Sequence, residues 1–105
     1  MPDMKDNITI NKRRGARGAV LGLLEENYPT GIAYRVLERV LLSGAKCQPH
    51  ELPGILTYLE DKGYIKISVP EEPSIKPLDD SVVELSAHGI DLLEGSIPDD
   101  PGIVI

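Results

Sequence analysis

The stretch Leu56-Thr57-Tyr58-Leu59-Glu60-Asp61-Lys62-Gly63-Tyr64-Ile65 carries the most structural information in the chain. It closes a helix read over residues 49–62, in which Leu52, Ile55, Leu56 and Leu59 recur at the three- and four-residue steps of one buried stripe. Pro49 suits the first turn, where a missing N–H costs nothing, while Pro53 and Gly54 make that turn irregular. Gly63 fits the left-handed position just past the helix end, and Tyr64 then folds back on Leu59. Beyond it, residues 64–69 alternate and are β-branched, which predicts a strand, and residues 82–85 predict a second. Residues 70–81 between them hold Pro70, Pro73 and Pro77 and read as a long hairpin loop. Ser86 caps a short helix over residues 87–94, stopped by Gly95.

Two helices precede this unit. Residues 13–27 place Ala16, Ala19, Val20, Leu23 and Leu24 on one face, with Gly15, Gly18 and Gly22 forming a smooth stripe that would admit another backbone. Tyr28-Pro29-Thr30-Gly31 breaks the helix. Residues 32–43 form the next, with Thr30 as N-cap, an apolar face of Ile32, Ala33, Val36, Leu37, Val40 and Leu41, and Gly44 at its end. The expected fold is mainly α with a small β-hairpin (α+β): a three-helix domain over residues 13–95 with a short C-terminal helix. Residues 1–12 are expected to be a flexible N-terminal segment and residues 96–105 a tail, acidic at Asp99 and Asp100 and apolar at Ile103, Val104 and Ile105.

Composition excludes several classes. A chain of 105 residues supports one domain and one modest core. That core must be aliphatic, because there is no Trp or Phe and only four Tyr. A single cysteine, Cys47, rules out an internal disulfide and an all-cysteine zinc site. No apolar run approaches the roughly 18 residues of a membrane span, and the polar start is not a signal peptide, so a cytoplasmic location without membrane contact is expected. The net charge of −6 is uneven: residues 1–50 hold eight Lys/Arg against five acids, residues 51–105 three against twelve. A uniformly basic nucleic-acid binder is excluded; a locally basic face is not.

No catalytic or metal-binding constellation is complete. Cys47-Gln48-Pro49-His50 has half the spacing of a zinc knuckle, but the only other histidine is the distant His88. Cys47 and His50 as nucleophile and base lack a group to orient the histidine. Gly15-Ala16-Arg17-Gly18 follows no strand and lacks the Lys-Ser/Thr end of a phosphate loop. The expectation is a non-enzyme with no cofactor and no metal.

Residues 56–65 resemble the segment that closes the recognition helix and opens the wing in winged helix-turn-helix transcriptional regulators. Leu85-Ser86-Ala87-His88-Gly89-Ile90-Asp91-Leu92-Leu93 resembles the second wing strand and following helix of those proteins. The likeness covers residues 13–95, and residues 89–102 are similar to small winged-helix proteins of Mu-like phages and prophages. It implies double-stranded DNA binding in transcriptional regulation, in a bacterial or phage protein acting as a homodimer. The third helix would enter the major groove and the wing would follow the backbone or minor groove. Gln48 and His50 are then the base-contact candidates, with Thr57 beside them. Lys12, Arg13, Arg14, Arg17, Arg35 and Lys76 are the candidates for the DNA backbone. Two features point elsewhere. The exposed third-helix positions hold no Arg or Asn, and the wing sets Glu71, Glu72, Asp79 and Asp80 against Lys76 alone. The alternative is an interaction adaptor that binds a protein partner through Tyr58 or through Ile103, Val104 and Ile105. That tail could add a strand across a two-fold interface, pack on its own domain, or stay disordered. The DNA reading requires the basic cluster at residues 13–17 to share a face with the third helix.

Overall fold

Aliphatic stripes on three helices close over a small sheet. The computed structural model describes residues 4–69 and 81–105, with side chains from residue 8 onward. The elements are α1 (Met4–Glu26), β1 (Ile32–Ala33), α2 (Tyr34–Ser43), α3 (Leu52–Asp61), β2 (Ile65–Ser68), β3 (Val82–Leu85) and α4 (Ala87–Glu94), with a 3-10 turn at Pro49–Glu51 leading into α3. The protein is mainly helical with one small antiparallel sheet, an α+β fold. Residues 70–80, which the sequence reads as a hairpin loop and which include Lys76 and the four acids, lie outside the described residues.

The sheet has three strands where two were expected, in the order β1-β3-β2 with both pairings antiparallel. Ile65 pairs with Leu85 and Ile67 with Val83, as the alternation over residues 64–69 requires. The addition is β1, whose Ile32 pairs with Val83 and Ala33 with Val82. By apolar period alone these two residues read as the start of the second helix. That helix instead begins at Tyr34, capped by Ala33 in extended geometry rather than by Thr30. The Tyr34 N–H donates to the Ser81 carbonyl at 2.9 Å, which ties the start of α2 to β3.

Val20, Leu21 and Leu24 of α1 meet Leu37 and Leu41 of α2, and Leu52, Ile55, Leu56 and Leu59 of α3, in one buried cluster. Val83, Leu85 and Ile65 close it from the sheet and Leu92 from α4. Two corrections concern its edges. Val36 and Val40, expected on the buried face of α2, are 49% and 44% exposed. The first helix does not begin near residue 13: it starts at Met4, so residues 4–12 continue α1.

The residues flanking β2 and β3, Gly63 before and Ser86 after, match the sequence reading. Gly63 takes φ of 82°, the Tyr64 N–H reaches the Leu59 carbonyl at 3.0 Å, and the Gly63 N–H reaches Glu60 at 2.9 Å, the paired bonds of a Schellman cap. Ser86 caps α4 by accepting the Gly89 N–H at 3.1 Å, while its hydroxyl donates to the Gly63 carbonyl. One hydroxyl thus joins the turn before β2 to the helix after β3. At the end of α2 the same pair of bonds forms one residue later than expected. Ala45, with φ of 54°, holds the left-handed position, and Gly44 has an ordinary φ of −87°.

Candidate nucleic-acid interface

Four-residue spacing puts Arg13 and Arg17 on one face of α1. α1 packs against α3. The two arginines, with His50, Glu51, Gly54 and Ile55, therefore line a single cleft of about 370 Å³ at the start of α3. The basic end of α1 and the amino end of the third helix share a face. Glu51 is the opposing charge within the cleft, and its Oε1 accepts the Gln48 backbone N–H at 2.8 Å. Gln48, Thr57 and His50 are all exposed, but only His50 of the three lines the cleft. The Thr57 hydroxyl donates to the Pro53 carbonyl at 2.9 Å within its own helix.

The six backbone candidates separate. Lys12 and Arg13 are exposed on α1, and Arg35 is exposed on α2, away from the residues lining the cleft. Lys76 lies outside the described residues. Arg14 is half-buried, and its carbonyl accepts the Val104 N–H at 3.1 Å. Arg17 is committed within the chain: Nη1 donates to the Gly102 carbonyl at 3.0 Å, and its guanidinium carbon sits 3.7 Å from the centre of the Tyr58 ring. Its Nε is buried without a hydrogen-bond partner. Arg17 is therefore a fixed wall of the cleft rather than a free cation.

These contacts also correct the adaptor residues. Tyr58 is half-buried between Arg17 and the tail, and a Cβ at Gly102 would collide with its hydroxyl. Ile103 is in the core at 8% exposure; Val104 and Ile105 remain exposed. The tail packs on its own domain. It crosses α1 at Gly18, where any Cβ would strike the Val104 carbonyl, so the glycine stripe is used at that position by the chain itself. Gly15 and Gly22 face open space.

Asp100 anchors the tail and was missed in the sequence, where Asp99-Asp100 reads as a solvated pair. Its side chain is 7% exposed. Oδ2 accepts the Tyr64 hydroxyl at 2.7 Å, Oδ1 accepts the Gly102 N–H at 2.8 Å, and Lys62 Nζ stands 3.6 Å away. Burial pushes the carboxyl upward, but the Tyr64 and Gly102 hydrogen bonds and the Lys62 charge outweigh it and hold the pKa below its ordinary value. Burial, then the bond to Asp100, pushes the Tyr64 phenol up to about 12. The Tyr64 ring also stacks on His88, centroids 5.0 Å apart. The only local hint in the sequence was Asp-Pro-Gly turn chemistry at residues 100–102.

Cys47 does not have the setting of a nucleophile. Burial raises its thiol pKa, and the charges of Glu51 and Glu38 raise it further, the opposite of activation. No helix among the described residues is long and apolar enough to cross a membrane. Comparison with protein-family models, curated proteins and solved structures finds no match.

Proposed function

We propose that this chain is a winged helix-turn-helix domain that binds double-stranded DNA, a small non-enzymatic transcriptional regulator of cytoplasmic bacterial or phage origin. The observation that carries the reading is the shared cleft: Arg13 and Arg17 open onto the same face as His50 at the start of α3. A duplex seated there would meet Arg13 on one strand's phosphates while His50, with Gln48 nearby in sequence, faces the major groove. Because Arg17 is held by Gly102 and Tyr58, and Arg14 is half-buried, the phosphate set is smaller than the basic run at residues 12–17 suggests. Each phosphate contact contributes roughly 0.9 to the slope of log affinity against log salt. With Arg13 as the remaining arginine contact, a slope near −1 per domain is therefore expected, with modest affinity.

The test is salt-dependent binding to duplex DNA by fluorescence anisotropy. Arg13→Glu should weaken binding to all sequences alike and flatten the slope. His50→Ala should instead relax sequence preference, since base-edge contacts discriminate by ~1–3 kcal/mol. Absence of duplex binding at low salt, with the folded state verified by circular dichroism, refutes the reading.

A further inference from the structure

The face of α1 opposite the cleft borders an apolar trough that the nucleic-acid reading does not use. Two adjoining hollows of about 320 Å³ each share Leu23, Glu26 and Val40, and so form one trough between α1 and α2. Ile32 and Val36 line one end of it, and Val36 and Val40 are 49% and 44% exposed. Among the described residues nothing covers it.

We propose that a second copy of this chain fills the trough, its α1 lying antiparallel to the first across a two-fold axis. Three observations select that occupant. First, α1 extends past the core: burial begins at Ala16, while residues 8–13 are all exposed. Side chains exposed along this stretch leave its outer face open to a second helix, and burying that face would stabilise the amino half of α1. Second, at about 100° per residue, Ile8, Lys12, Ala19, Leu23 and Glu26 fall within one narrow arc of α1. The exposed Ile8 thus shares its face with the trough. Third, that face is basic at its amino end, at Lys12, and acidic at its carboxyl end, at Glu26. Antiparallel pairing brings these opposite charges together twice, whereas parallel pairing sets like against like. Lys46 on the far wall is the other charge in the trough.

The register that pairs Lys12 with Glu26 of the second copy centres the axis at Ala19, where a small side chain lets the helices approach. It also carries Ile8 past the end of the opposing helix to the mouth of the trough, beside Ile32 and Val36. Arg13 and Arg17 lie on the opposite face of α1 and stay clear, so the inference does not depend on DNA binding. The tail is not involved.

Sedimentation equilibrium of the full chain without DNA, from low to high micromolar concentration, should show a dimer. Val40→Asp, an exposed position whose substitution leaves the core intact, should raise the dimer dissociation constant about tenfold or more with an unchanged thermal melt at low concentration. Lys12→Glu and Glu26→Lys should each weaken the dimer, and the double variant should restore it by re-forming both pairs in reversed order. A wild-type chain that is monomeric throughout the range overturns the proposal. So does a dimer unaffected by Val40→Asp, or one that the double charge swap fails to restore.

Discussion

Removing one hydroxyl at Tyr64 tests whether the tail is held by a buried, charge-assisted bond. Tyr64 donates to Asp100 at 2.7 Å, and the carboxylate is 7% exposed. A hydrogen bond to a charged group contributes about 1.5–3 kcal/mol, because deleting its donor leaves a desolvated charge short of a partner. Tyr64→Phe leaves Asp100 only the Gly102 N–H and Lys62 at 3.6 Å, and Lys62 is 47% exposed, so that ion pair cannot compensate. The variant should be less stable by about 1.5–3 kcal/mol near neutral pH. The gap between wild type and variant should also change with pH in a defined way. The folded pKa of Asp100 lies below its ordinary 3.8, so its stabilisation is complete above that value and is lost as pH falls through the lower folded value. The gap therefore narrows in acid toward a neutral bond of about 0.5–1.5 kcal/mol. Tyr64 is raised from 10 to about 12, so the folded chain holds a proton that the unfolded chain has released. Stability is full below pH 10 and falls as pH rises toward about 12, a loss the phenylalanine variant does not share. The gap narrows there too, by at most about 3 kcal/mol, the same size as the bond. Urea unfolding followed by circular dichroism, repeated across pH, measures it. A neutral-pH gap below about 0.5 kcal/mol, or one flat with pH, refutes the reasoning.

Three further outcomes follow from packing and backbone geometry. Leu59→Ala, at a fully buried position, should cost about 2–5 kcal/mol in a denaturant melt, and a loss under about 0.5 would remove Leu59 from the core. Gly18→Ala should destabilise by about 1–3 kcal/mol although alanine is the better helix former, because its Cβ meets the Val104 carbonyl; limited proteolysis should then clip the tail faster. Ala45→Gly should stabilise the fold by about 0.5–1 kcal/mol in the same melt, since φ of 54° is unfavourable for alanine and open to glycine.

Where local chemistry determines structure, the sequence was legible. The Leu52–Leu59 stripe, the left-handed Gly63 and the Ser86 cap each depend on residues within two helical turns, and α3, β2, β3 and α4 fall where that chemistry places them. β1 was not legible for the complementary reason. Ile32 and Ala33 continue the apolar period of α2, and what makes them a strand is β3, far along the chain. Val36 and Val40 face outward because Tyr34, Leu37 and Leu41 take the buried face of α2, and the wide apolar face in the sequence did not choose between the two sets. The amino half of α1 has no apolar stripe to announce it.

The candidate site divides along the same line. Arg13, Arg17 and His50 are candidates by residue type, and whether they share a cleft depends on how α1 packs on α3. Arg17 shows what residue type alone leaves out. A guanidinium in a basic run reads as a phosphate contact, yet this one is stacked on Tyr58 and bonded to Gly102, both brought to it by the folded tail. The tail in turn is placed by Asp100, whose role depends on Tyr64 at the start of β2. The charge that faces the cleft is thus set by an anchor on the opposite end of the chain. A variant that loosens Asp100 should alter the salt slope of DNA binding without touching any residue in the cleft, because it frees Arg17 to act as one more phosphate contact.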